Sequence, residues 1–291
     1  MENNSCGQSH RHSRRKAVHS CSKHMYDSSD SPGDLDDEVN NQVESNRMTM
    51  GGKVKQDERY FTISDEVFNR FPGYVRGVVI AHGLANGESP AELTSRLRSA
   101  EDSVRKELNL ETLAEHPWIV SWREAFRSFG AKPSKFRPSI EAMVRRVLRN
   151  EHLPSINALV DIGNVVSLRH VVPAGGHAID VVENDMELRL ATGDELFTPL
   201  DSEQVENPVP GEVIFAEGKT VLTRRWTWRQ GRHTLVVPAT TAVEFNVDGL
   251  PPVPIAEVEN ACREIAELIE KFCGGNTRYE IVTKANPKVK L

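Results

Sequence analysis

The run from Leu153 to Leu168, LPSINALVDIGNVVSL, constrains this chain more than any other segment. Asn157, Asp161 and Asn164 follow one another at steps of four and three, so a helix over the run carries all three polar groups on one face. Leu159, Ile162, Val165 and Val166 cover the remaining faces with apolar surface, the pattern of a helix held inside a domain. Gly163 interrupts it at a cost of about 1 kcal/mol relative to Ala, so a close approach to the backbone is expected there. Two readings stand: a ligand-facing polar stripe, or a buried helix whose Asx side chains satisfy neighbouring loops. GGHAID, Gly175 to Asp180, follows. It sets His177 behind two glycines and ahead of a strand, where an imidazole can donate a hydrogen bond or position a water at the edge of a cleft.

The chain has 291 residues, 38% of them hydrophobic, enough for one large core or two small ones. It holds no run of about 18 apolar residues, and its amino terminus lacks the apolar centre of a signal peptide, so a soluble, cytoplasmic protein with no membrane partner is expected. The four cysteines agree with that compartment. Cys262 and Cys273 fall on one predicted helix about 16 Å apart, too far for a disulfide. A net charge of -6 offers no global attraction to nucleic acid, so any nucleic-acid or phosphate partner needs a local basic patch, and DNA is not expected as a partner.

Residues 1–57 read as a separate disordered leader, basic around Arg11 to Lys16 and acidic around Asp27 to Glu38, with too little apolar content to offset the entropy of ordering. Cys6, His10, His12, His19, Cys21 and His24 match no paired-ligand spacing, and no metal site is expected. Residues 58–291 read as a single folded domain. FTI and Arg76 to Leu84 are predicted strands around a short helix capped by Ser64, and Pro90 opens a long amphipathic helix to Leu108. A second helix spans Trp118 to Phe129. The basic link GAKPSKFRP leads to a helix capped by Ser139. After the Asn157 helix come the strands AIDVV, MELRLA, EVIFAE and KTVLTRRWTW, with a tight hairpin at Glu217-Gly218. Further strands are expected near Leu235 to Val237 and Val243 to Val247, then a helix from Ile255 to Phe272 stopped by Gly274-Gly275. Helices that precede and enclose many strands predict a layered α/β domain with a mixed sheet.

The second candidate site is Arg224 to Gly231, RRWTWRQG. Read as a strand, it puts Arg224, Trp226 and Trp228 on one face and Arg225, Thr227 and Arg229 on the other. Guanidinium groups beside indoles suit a nucleotide, pairing with phosphate and stacking on a base. The alternative is two core tryptophans with arginines that solvate the far face or pair with acids. No serine elbow, phosphate loop or dinucleotide glycine motif occurs, so no cofactor is expected.

Taken in order, NALVDIGNVVSL, GGHAID, GDEL and VIFAEGKTVLTRRWTW resemble the B3/B4 editing module of the phenylalanyl-tRNA synthetase beta chain, over roughly Trp118 to Gly249. In that family a helix of the form NxVVDVTNYV leads to HAFD, similar to Asn157 to Val166 and His177 to Asp180 here. The segment from Tyr60 to Glu107 looks like the lead-in of free-standing members. Neither the catalytic nor the anticodon-binding regions of the synthetase are seen, so a protein other than the synthetase is expected.

The resemblance implies a three-layer α/β fold with a large mixed sheet flanked by helices. It also implies a pocket for the aminoacylated 3′ end of tRNA and hydrolysis of a mischarged aminoacyl ester in trans. Asn164 and His177 match pocket positions and are the implied catalytic pair, holding water without a strong general base. Asn157, Asp161, Gly163, Arg224, Arg225, Trp226, Trp228, Arg229 and Gln230 are the implied substrate-binding set, with Lys132, Lys135 and Arg137 extending a basic track. Gly163 stands where the synthetase has a threonine, and WRQGRH replaces its GGE turn, so tyrosine specificity is not expected, and Gln230 or Arg229 would read another group. A non-catalytic module for tRNA or an amino-acid-like ligand, and a metabolic enzyme or sensor on the same fold, are the alternatives.

Overall fold

The computed structural model describes residues 58–291. The expected leader and its His and Cys residues lie outside the described residues. In chain order the elements are β1 (Tyr60–Ile63), α1 (Asp65–Arg70), β2 (Val75–His82), α2 (Ala91–Glu107), α3 (Pro117–Ser128), α4 (Ser139–Leu148), α5 (Ala158–His170), β3 (Ala174–Ala178), β4 (Met186–Leu190), β5 (Val213–Glu217), β6 (Thr220–Arg224), β7 (Arg229–Gln230), β8 (Ala242–Gly249), α6 (Ile255–Phe272), β9 (Asn276–Val282) and β10 (Lys288–Lys290). The α/β class is as expected. The strands divide between two sheets, where the sequence suggested one large sheet. A six-stranded sheet runs β10-β1-β4-β5-β6-β7, and a four-stranded sheet runs β3-β8-β2-β9. The first is mixed because β1 and β4 pair in parallel; the second is antiparallel throughout.

Alternation within the four-stranded sheet decides which face meets what. Phe245 and Val247 on β8 lie opposite Gly176 and Ala174 on β3 and Gly77 on β2, so these positions share one face. Helices α5 and α6 cover that face. A Cβ at Gly163 would stand 3.0 Å from the Phe245 ring, and one at Gly77 would stand 2.1 Å from Cys262 Sγ on α6. Gly163 is therefore the point where α5 presses on the sheet. Glu244, Asn246 and Asp248 occupy the other face of β8, together with His177 and Arg76 opposite them. That face looks towards the six-stranded sheet: the Arg76 guanidinium lies 5.2 Å from the ring centroids of both Phe61 and Phe215. The result is a helix layer, a four-stranded sheet and a six-stranded sheet. A satellite cluster of Ala191, Phe197, Ile214, Ala216 and Val221 covers the outer face of the last layer.

Local differences from the predicted elements have simple causes. Pro90 and Pro138 are the N-caps of α2 and α4, so the helices begin at Ala91 and Ser139, and neither Ser139 nor Ser64 caps through its side chain. The hairpin turn is Gly218-Lys219, one residue later than predicted, because Glu217 pairs with Thr220 and Gly218 supplies φ 55°. AIDVV is not a strand; β3 comes earlier, as AGGHA. No strand forms over Leu235 to Val237.

His170, near the carboxyl end of α5, joins this helix to α6. Its Nδ1 lies 2.7 Å from Glu257 Oε1 and its Nε2 lies 2.8 Å from Glu264 Oε2. Burial alone lowers the pKa of this imidazole, but the two carboxylates outweigh it and the net shift is upward from 6.5. A raised folded-state pKa stabilises fully below the unfolded value and is lost as pH rises through the folded one. The stability gap between wild type and His170→Gln should therefore narrow as pH rises from about 6 to about 9, read as denaturant midpoints. A gap that widened over that range would contradict the clamp.

Candidate functional site

A cavity of about 140 Å³ lies between the two sheets. Arg76, Gly175, His177 and Asn246 line it from the four-stranded sheet, Phe215 and Thr223 from the six-stranded sheet, and Trp226 to Gln230 from the turn after β6; Ser139, at the start of α4, completes the wall. The turn owes its shape to Arg225 and Trp226, which adopt left-handed φ values of 47° and 63°. Non-glycine residues rarely occupy that region, so β6 ends at Arg224 and the predicted strand RRWTW does not continue. The chain instead folds back, and Arg229-Gln230 pairs with Arg224 and Thr223 as β7.

His177 is 4% exposed, with Nδ1 2.7 Å from Thr234 Oγ1 and Nε2 3.2 Å from Thr223 Oγ1. Phe215 packs edge-on to its ring at 4.8 Å. Burial, helped by the Arg76 charge, pushes its pKa down to about 3, so the imidazole is neutral at neutral pH. It can orient a ligand or a water, but it is a weak base and carries no positive charge. Gln230 Nε2 donates to the carbonyls of Gly176 and Thr234, both at 3.1 Å, and so fixes the rim around His177.

Beneath this wall lies a buried charge network that the sequence reading did not single out. Arg76 Nε donates to Asp248 Oδ1 at 2.8 Å and to Tyr74 Oη at 3.0 Å; Nη2 donates to Asp248 Oδ2 at 3.3 Å, and Tyr74 donates to Asp248. Trp226 Nε1 donates to Tyr74 Oη at 3.3 Å, linking the network to the turn. Glu244 pairs with His177 across the β3–β8 ladder, and both its carboxyl oxygens lack a hydrogen-bond partner. Burial, opposed by the Arg76 charge, lifts its pKa to about 7. The signal was available. Arg76 interrupts an apolar strand, and VEFNVD places an acid or amide at every second position of a strand that is buried throughout.

Of the sequence candidates, the cavity brings together His177, Trp226, Trp228, Arg229 and Gln230. Asn157, Asp161, Gly163 and Asn164 do not line it, because α5 packs on the opposite face of the four-stranded sheet. Asn157 is the N-cap of α5: its Oδ1 accepts from Val160 N at 3.1 Å and its Nδ2 donates to Val236 O at 3.1 Å. Asp161 accepts from Ser89 Oγ at 2.6 Å, from Ser155 Oγ and from Ile156 N at 3.1 Å. Both side chains thus tie loops to the helix start. Asn164 is half-buried on α5. Arg224 is held by Glu212, at 2.9 and 2.8 Å, and by Glu206, at 2.7 Å. Arg225 lies over the rings of Phe136 and Trp228, at 3.7 and 4.4 Å. These two arginines build the turn from behind. Among the described residues no His, Cys, Asp and Glu grouping could hold a metal ion, and no helix is long and apolar enough to cross a membrane.

The family model described as the B3/4 domain matches residues 121–274, more than half of the chain. The chain belongs to the B3/4 domain family. A curated relative, the phenylalanine–tRNA ligase beta subunit of Mycoplasma genitalium, is 31% identical over 104 residues, which is 36% of this chain and 13% of that subunit. The chain thus spans only a small part of the relative it matches. Among solved structures, an N-terminal fragment of the phenylalanyl-tRNA synthetase beta subunit from Pyrococcus horikoshii is similar at a TM-score of 0.39 and 12% identity, over 75% of this chain and 50% of that one. The B3/4 segment contains His177 and the whole Arg224 to Gly231 turn. Arg76 precedes it in the chain, yet it lines the same cavity, with Tyr74 hydrogen-bonded behind it.

Proposed function

We propose that this B3/4-domain protein binds the aminoacylated 3′ end of tRNA and hydrolyses the ester of mischarged aminoacyl-tRNA in trans. The observation that carries the reading is the convergence of His177 with Trp226, Trp228, Arg229 and Gln230 on one cavity, in a chain related to the phenylalanyl-tRNA synthetase beta subunit. The aminoacyl group enters between the sheets. Neutral His177 orients the ester or the attacking water, and fixed dipoles around it stabilise the developing oxyanion. The loop between α3 and α4 borders the entrance, because Phe136 packs edge-on to Trp228 at 4.9 Å. Lys132 and Lys135 stand exposed on that loop and Arg137 is half-buried, a local positive track for tRNA phosphates on a chain of net negative charge.

A second reading, binding without turnover, is favoured by one observation: none of the residues lining the cavity is an Asp or Glu. A panel of correctly charged and mischarged aminoacyl-tRNAs separates the two. Faster loss of one or more mischarged esters than in buffer supports hydrolysis, with cytoplasmic proofreading as the role. Binding that weakens steeply with salt and leaves every ester intact supports the second reading, and absence of both binding and turnover sinks the tRNA assignment.

A further inference from the structure

The buried side-chain atoms that lack a hydrogen-bond partner among the described residues belong to Ser64, Arg76, His116, Glu141, Arg225, Thr227 and Glu244. Two of these residues, Arg76 and Thr227, line the cavity. Buried polar groups in folded proteins are nearly always satisfied, so two unsatisfied side chains around one cavity call for an explanation. Arg76 is 1% exposed; Asp248 and Tyr74 hold its Nε and Nη2 edge, and Phe61 and Phe215 hold its faces, leaving Nη1 without an acceptor. The backbone of Thr227 is likewise pinned. Its N–H donates to Arg225 O at 2.6 Å and its carbonyl accepts from Ser139 N at 2.9 Å, while its hydroxyl has no partner. The two left-handed residues ahead of it are a backbone strain of the kind that clusters at ligand sites.

We propose that Arg76 and Thr227 form an acyl-binding corner of the cavity, in which Arg76 Nη1 donates to a carbonyl oxygen and the Thr227 hydroxyl meets the adjoining amine or hydroxyl of an α-aminoacyl group. A guanidinium only donates, so its complement is an acceptor oxygen. Asp248 already balances its charge, so a neutral carbonyl satisfies it as well as an anion does. A space of about 140 Å³ is smaller than a drug-sized pocket and takes an aminoacyl group while leaving a base or ribose outside. This corner rests on the tRNA reading for its ester but not for its chemistry, since a free amino acid presents the same groups. Arg76 lies before the B3/4 segment, so the family match assigns it no part.

The test uses Thr227→Val and Arg76→Lys in the full chain, with two sets of probes: non-hydrolysable 3′-aminoacylamido adenosines carrying alanine, serine or phenylalanine, and the same free amino acids. Thr227→Val is expected to hold or raise Tm, since it removes an unsatisfied hydroxyl, and to weaken binding of the best adenosine probe about fivefold. Arg76→Lys, which keeps the charge opposite Asp248, should weaken it further. The same loss seen only with free amino acids keeps the corner and discards the tRNA reading. If Thr227→Val raises Tm but binds every probe as wild type does, or if wild type binds neither set, the corner is overturned.

Discussion

Asp248→Ala should lower the stability of the domain by about 3–5 kcal/mol, because it leaves the Arg76 guanidinium buried without its counter-ion. Both groups are essentially inaccessible, at 1% and 0% side-chain exposure, and Asp248 takes both the Nε and the Nη2 of Arg76. Tyr74 is the other side chain that hydrogen-bonds Arg76, and its hydroxyl, itself buried with a pKa held well above the ordinary phenol value, cannot replace a carboxylate. Denaturant titrations should show the full loss in the single variant, whereas Arg76→Met combined with Asp248→Leu should recover most of it, since a buried pair contributes little net stability over apolar groups of similar volume. A single variant within about 1 kcal/mol of wild type would mean that Arg76 finds another partner or reaches solvent.

Trp226→Ala should cost about 3–5 kcal/mol for a different reason, the loss of a large buried ring from a packed cluster. Trp226 is 2% exposed, and its indole meets Phe71, Tyr74 and Trp122 edge-on at centroid distances of 4.6, 4.8 and 5.1 Å. Through these rings it joins α3 and the connection between α1 and β2 to the cavity wall. Trp228 is only half-buried, packing against Phe136 and Arg225. Trp228→Ala should therefore change stability by no more than about 1 kcal/mol while disturbing the entrance. Comparable losses in the two variants, read from unfolding midpoints, would contradict this division between a core tryptophan and a rim tryptophan.

That contrast marks where local sequence stops being informative. A strand pattern treats Trp226 and Trp228 as equivalents on one face, but left-handed φ at Arg225 and Trp226 replaces the strand with a turn and sends the two indoles to different depths. Those φ values depend on Arg224 and Arg225 being held from behind by Glu212 and on stacking against Phe136, contacts from distant parts of the chain. The α5 helix was legible for the opposite reason: its period and its mid-helix glycine are local signals, although Asn157, read as part of the helix face, proves to be its N-cap. What they could not reveal was which side of the sheet α5 covers, so a ligand stripe and a loop-holding role both stood for Asn157 and Asp161, and the contacts these two make are to loops. The long helices α2, α3 and α6 were legible within one or two residues. The partition into two sheets was not, because β1 pairs with β10 and β4, strands far along the chain.

The proposed hydrolysis of aminoacyl esters would take place in the cavity on the His177 face of the four-stranded sheet. Single-turnover deacylation of the most reactive mischarged tRNA, measured for wild type, His177→Ala and Asn164→Ala at matched fold stability, tests it most directly. The expected result is a rate loss of about 100-fold in His177→Ala, with Asn164→Ala close to wild type. Equal rates in all three proteins, or a loss confined to Asn164→Ala, would place the chemistry elsewhere and contradict the account.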